Sequence, residues 1–174
     1  MKTLIPFVAL IFAAFSLQAQ SKMTPLATAV SPDAQANIAV YEQLMLGLLN
    51  GNYDQAYAVL AEDFYMLGEG PDTLRRDGLI ELWKGYASQN ESQSGQGWAT
   101  SLDLSSPDLN GTWVMAWLHG QWTMKGTDQP IHSWVHQAAQ VEDGKIKVIY
   151  QFQDNLAVLM QMGFQVVPPA TENR

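Results

Sequence analysis

The stretch "TWVMAWLHGQW", Thr112 to Trp122, decides the reading of this chain. From Trp98 onward the apolar residues stop recurring at helical steps and begin to alternate, the mark of a β-strand with neighbours on opposite sides. Trp113, Met115, Trp117 and His119 therefore share one face. "IHSWVHQ" repeats the pattern and sets His132, Trp134 and His136 together. Strands are expected near 98–104, 112–124, 131–141 and 145–153, separated by the turn-forming "PDLNG", "KGTDQP" and "EDG". A last helix follows Asp154 and ends at Gly163.

Upstream of the strands the period is helical. Ser31-Pro32 opens a first helix, a capping hydroxyl followed by a residue whose missing N–H costs nothing at the first position. Tyr41, Leu44, Met45, Leu48 and Leu49 fall on one face of it. "NGN" (Asn50 to Asn52) ends that helix, and Asn52 with Gln55 has capping-box spacing for the next. There Tyr53, Ala56, Tyr57, Leu60, Ala61 and Phe64 form a stripe, so the two helices predict a hairpin. "FYML" is a short extended piece, and "GEGPDT" is a turn. A third helix buries Leu79, Leu82, Trp83 and Tyr86, and "SQNESQSGQG" reads as a polar loop.

Three early helices cannot cover both faces of such a sheet. The predicted class is α+β: a cone-shaped, curved antiparallel sheet with three N-terminal helices on its concave face, enclosing a blind pocket.

The chain of 174 residues carries a formal charge of −8 and a pI near 4.6. That balance argues against nucleic acid and anionic membrane surfaces as partners. Residues 1–19 read as a secretory signal: Lys2, an apolar run from Leu4 to Phe15, then Leu17 and Ala19 before the cut. The expected organisation is a signal at 1–19, a flexible lead-in at 20–30, one domain at 31–167 and a disordered tail at 168–174. The product is exported, to the periplasm or outside the cell, with no membrane association after cleavage. Without cysteine it has neither disulfides nor a lipid-anchoring thiol.

Three segments carry a resemblance to a known family: "YEQLMLGLLNGNYDQAYAVLAEDFYM", "RRDGLIELWKGY" and "EDGKIKVIYQFQDNLAVLMQMGF". Together they resemble the nuclear transport factor 2-like superfamily and, within it, the SnoaL-like branch. The ending is similar to family endings in which an Asp precedes a leucine-rich turn and Gln-Leu-Gly; Gln161-Met162-Gly163 stands here. The fold hosts isomerases, cyclases, dehydratases, ligand carriers and inert dimers. In SnoaL-like cyclases an Asp serves as acid/base, and Asp154 is the nearest match. That role needs a carboxylate in a dry apolar pocket beside a carbon acid. The competing role is an N-cap on the helix that starts at Asn155, which Asp fills at many such junctions. Ketosteroid isomerases add a helix-one Tyr and pocket carboxylates. Here Leu44 stands near the Tyr position with Tyr41 a turn earlier, His and Gln replace Asp on the penultimate strand, and Glu69 is the acid near the expected base.

Two function classes follow. The first is a dimeric module binding a small apolar molecule, with Trp117, His119, His132, Trp134 and Gln151 as candidate ligand-binding residues. The second is a cofactor-free isomerase, cyclase or dehydratase with Asp154 or Glu69 as base and His136 or His119 as partner. A domain whose pocket is filled by its own side chains is a third possibility. The His/Trp stripe fits a pocket lining, an outer dimer face or plain core, since alternation fixes which residues share a side but not which side. A two-residue Asp143-Gly144 turn, preferred because Asp-Gly suits it and its aliphatic partners match, places Gln151 and Gln153 on the stripe's side; a three-residue turn would place Tyr150 and Phe152 there. No metal or other cofactor is expected: His132 and His136 stand about 13 Å apart on a strand, and no Cys or carboxylate has ligand spacing.

Overall fold

The computed structural model describes residues 27–68, 73–106 and 109–167. The expected signal, most of the lead-in, Glu69 and the tail at 168–174 lie outside them. Seven strands form one sheet: β1 (Ala27–Val30), β2 (Leu60–Leu67), β3 (Thr73–Arg75), β4 (Asn90–Ser105), β5 (Gly111–Met124), β6 (Pro130–Glu142) and β7 (Lys145–Gln153). Their order is β1-β4-β5-β6-β7-β2-β3. All pairs are antiparallel except β2 with β7, which run parallel. Helices α1 (Ala34–Leu49), α2 (Tyr53–Ala58), α3 (Arg76–Gln89) and α4 (Asn155–Gln161) complete the chain. The class is the predicted curved α+β sheet with the first three helices on one face. Among the described residues no helix is long and apolar enough to cross a membrane.

Alternation sorts the core. Phe64, Val114, Ala116, Ala139, Val141, Ile146 and Ile149 point from the sheet towards Tyr41, Leu44 and Leu48 of α1 and Leu79 and Ile80 of α3. Burial of this single apolar layer is the main stabilising term.

Local expectations shift in five places. The last four residues of the lead-in are β1, because their backbone pairs with Leu102 to Ser105 of β4. Ser31 does not cap α1: its hydroxyl accepts from Asn37 Nδ2 at 3.3 Å, and the helix starts after the Pro32-Asp33 turn. The second helix is short, and Leu60, Ala61 and Phe64 belong to β2, where pairing with β7 outweighs their helical spacing. Asn52 still caps it, accepting from the Gln55 amide. In α3 the buried residues are Leu79 and Ile80 with Trp83 packed beside them; Leu82 and Tyr86 are exposed.

The polar segment expected as a loop is the first half of β4. The long β5 supplies a backbone ladder for it from Asn90 to Leu104. A side chain at Gly97 would come within 2.6 Å of Leu118 and 2.9 Å of the Trp117 carbonyl, so a bare backbone is what fits. Gln93 donates to the Leu49 carbonyl at 2.7 Å and satisfies the end of α1.

Helix α4 buries no residue. It is held against β6 where β7 has run out, and Gln161 replaces the missing strand. Its Oε1 accepts from the His132 amide, and its Nε2 donates to the His132 carbonyl, both at 2.9 Å. Gln161→Ala is expected to raise hydrogen exchange at the His132 amide at least about tenfold and to open α4 to proteolysis. Urea unfolding of the whole domain should move by no more than about 1–2 kcal/mol, since no buried apolar surface is lost. Unchanged exchange at His132 would rule out this docking.

Candidate functional site

The β6–β7 hairpin determines which residues meet. Its turn is the two-residue Asp143-Gly144 form, with φ of 50° and 69° as a tight primed turn requires. Val141 pairs with Ile146, but Gln140 pairs with Val148, so Lys147 is an extra residue. Beyond this bulge the register is the one expected of a longer turn. His136 faces Phe152, Ala138 faces Tyr150, and Gln137 faces Gln151. The placement of Gln151 and Gln153 beside the His/Trp stripe is thereby corrected: they point to the other side.

That other side is the helix face. Buried Gln137 accepts a hydrogen bond from the Tyr41 hydroxyl and donates from Nε2 to Gln151 Oε1 at 2.5 Å. Gln151 Nε2 in turn reaches Gln153 Oε1 at 3.5 Å. Burial pushes the Tyr41 phenol well above its ordinary ionisation range. This chain of neutral amides and a phenol can orient carbonyl or hydroxyl groups but supplies no acid or base near neutral pH. Sequence reasoning had set Tyr41 aside because it stands a turn from the expected position, and it gave Gln137 no role.

The stripe lies on the outer face, opposite the helices. Of the settings open to Trp117, His119, His132 and Trp134, the outer face is the one they occupy, because their strand neighbours Val114, Ala116 and Ala139 fill the helix side. Trp98, Trp117, His136 and Phe152 form one lateral row across β4 to β7, and His119 with Trp134 begins the next. Trp117 meets His136 edge-on at 5.2 Å, His119 lies 4.8 Å from Trp134 and stacks on His132 at 5.6 Å, and Trp98 stacks on Trp134 at 6.1 Å. Trp98, Trp134 and Phe152 are each 58% exposed or more, and Trp117 is 47% exposed. At the other end of this face Trp113 is buried, stacked on Tyr150 and covered by Leu104, Leu109 and Val148.

A cleft of about 410 Å³ opens on the bare end. Trp117, Trp134, Val135, His136, Phe152, Gln153 and Asp154 line it. Asp154 and His136 are thus brought together, while Glu69 is outside the described residues and Gln151 lies behind the sheet. Asp154 is the N-cap of α4: its Oδ1 accepts from the Ala157 amide at 2.9 Å. It is exposed and committed to the helix, not enclosed in a dry pocket as a base for carbon acids would be. Among the described residues no three His, Cys, Asp or Glu side chains gather as metal ligands do.

No protein-family model and no curated protein sequence matches the chain. Solved structures do. An LEH-like epoxide hydrolase of M. tuberculosis superposes with a TM-score of 0.59 at 16% identity, covering 75% of this chain and 91% of its own. IdmH from Streptomyces antibioticus, a proposed polyketide cyclase, gives 0.59 at 17% identity, covering 74% and 99%. An NTF2-like protein from Burkholderia xenovorans gives 0.54 at 17% identity, covering 76% and 98%. Such matches, together with the sheet order and the helices on one face, establish that this chain has the nuclear transport factor 2-like fold.

Proposed function

We propose that this is an exported binding domain of the SnoaL-like kind, whose cleft on the outer sheet face receives a small apolar or aromatic molecule. The observation that carries the reading is the cleft itself. It is shallow and largely open to solvent, a depression of about 410 Å³ against which a small flat molecule would lie. Trp117, Trp134 and Phe152 offer ring surface, and His136 and Asp154 offer a few polar contacts. The signal read at residues 1–19 supports export. A cyclase or isomerase reading is weaker, because the nearest carboxylate caps a helix and stands in the open.

Titrating the purified protein with a panel of aromatic compounds while following tryptophan emission tests the reading. At least one compound is expected to quench emission saturably, and Trp117→Ala should weaken it about tenfold or more, as loss of a central aromatic contact does. Quenching indifferent to Trp117→Ala, or none across the panel, counts against the cleft.

A second reading has its own support. Beyond the cleft Trp98 continues the exposed apolar face, and Leu156, Met160 and Phe164 of the terminal segment are exposed as well. A bare surface of this composition suits a partner, and a second copy of the chain is the occupant we infer. Light scattering on the eluting protein should give twice the monomer mass, and a Trp98→Glu/Trp134→Glu variant should give the monomer. A wild type that elutes as a monomer at high concentration removes the dimer.

A further inference from the structure

We propose that the cleft selects organic cations, the quaternary or tertiary ammonium class, over neutral molecules of the same shape. The inference deepens the binding reading above and rests on it.

Two features of the cleft point the same way. Trp117, Trp134 and Phe152 line one space, with the His136 ring 5.2 Å from that of Trp117 and Trp134 stacked on Trp98 at its margin. Aromatic faces carry partial negative charge and attract a cation lying within about 6 Å of the ring centre. The ionisable residues in the lining are His136 and Asp154, and among the described residues no Lys or Arg lines it to repel a cation. On the flanking strands the same face continues with Gln96, Gln121, His119 and His132, which add no carboxylate and no Lys or Arg. The net charge of −8 adds a long-range attraction for cations.

A neutral apolar guest would use the rings but would strip water from the Asp154 carboxylate without replacing it. An alkylammonium group uses both. Its methyl groups lie on the rings while its charge faces the carboxylate, with no need for a hydrogen bond. The proposal involves recognition only; no bond is made or broken.

The decisive variant is Asp154→Asn. Asn is as good an N-cap as Asp, so the start of α4 is retained while the charge is removed. Isothermal titration of the full chain would use choline chloride and its neutral carbon isostere, in which a tert-butyl group replaces trimethylammonium. Choline is expected to bind about tenfold tighter than the isostere. Asp154→Asn should remove most of that preference, weakening choline and, with no carboxylate left to dehydrate, slightly tightening the isostere, and Trp117→Ala should weaken both.

Equal affinity for the two probes, or a preference that survives Asp154→Asn, overturns the cation inference and leaves the cleft as a binding site for neutral molecules. Binding of neither probe overturns the cation inference and the cleft reading together.

Discussion

Replacing Phe64 by alanine is expected to cost about 3–5 kcal/mol of folding stability, the range for truncating a large aromatic side chain in a closed core. Phe64 has no solvent exposure, and it sits in β2 among residues drawn from three helices and four strands. The cost has two parts: the lost transfer of the ring from water and the void left behind, which the α1 and α3 contacts hold open. Urea unfolding followed by far-ultraviolet dichroism measures it. If Phe64→Ala does not fold, Phe64→Leu keeps most of the volume and should lose less, about 1–2 kcal/mol. A loss under about 1 kcal/mol for the alanine variant would mean that the space beneath the helices is loosely filled. The outer cleft would then no longer be the better candidate for a guest.

The stability of the wild-type protein is expected to fall above pH 10, and Tyr41→Phe should remove much of the fall. In the folded chain burial holds the Tyr41 proton past the ordinary phenol value of 10.0, whereas in the unfolded chain the phenol ionises there. The unfolded state then binds fewer protons than the native state, so stability decreases as pH rises, by up to about 1.4 kcal/mol per pH unit for one such group. Below that range both states hold the proton and the contribution is intact. Tyr41→Phe also leaves the Gln137 side-chain oxygen without its donor, which should cost about 1–3 kcal/mol at neutral pH. The two stability curves should therefore start apart and converge in alkali. Tyr150 is raised as well, by partial burial first and then by the Tyr65 hydroxyl, but its effect is common to both proteins and cancels in the difference. Parallel curves between about pH 8 and pH 11 would exclude Tyr41 as the titrating group.

These two residues mark how far the sequence could be read. Phe64 was visible as an inward apolar residue at the start of the extended "FYML", but its helical spacing with Tyr57, Leu60 and Ala61 hid the first half of the strand. The parallel partner β7 lies more than eighty positions away, and local propensity cannot weigh a pairing at that range. The same holds for the polar start of β4, which is a strand because β5 is long enough to template it.

The site divides in a similar way. Asp154 as the start of a helix was legible, since a cap is a local event between a carboxylate and an amide three residues on. Also legible was that Trp113, Met115, Trp117 and His119 share a side, as do His132, Trp134 and His136, because a strand alternates wherever it is placed. The side they face was not. Lys147, one unpaired residue, moves Gln151 and Gln153 from the stripe's face to the helix face and brings Phe152 opposite His136. Ile146 and Val148, two residues apart yet buried on opposite faces, are the mark of this bulge, and only known partners reveal it.

Sequence by itself therefore determined the alternation of the late strands, the caps at Asn52 and Asp154 and the tight turn, which act over a few residues, and through them the class of fold. The tertiary structure alone decided that the aromatic and histidine stripe faces outward, since three helices cover one side of the sheet and burial of Val114, Ala116 and Ala139 beneath them leaves Trp117, Trp134 and Phe152 on the other. A one-residue slip exchanges the two faces of a strand, and whether it occurs is settled by packing across the whole sheet.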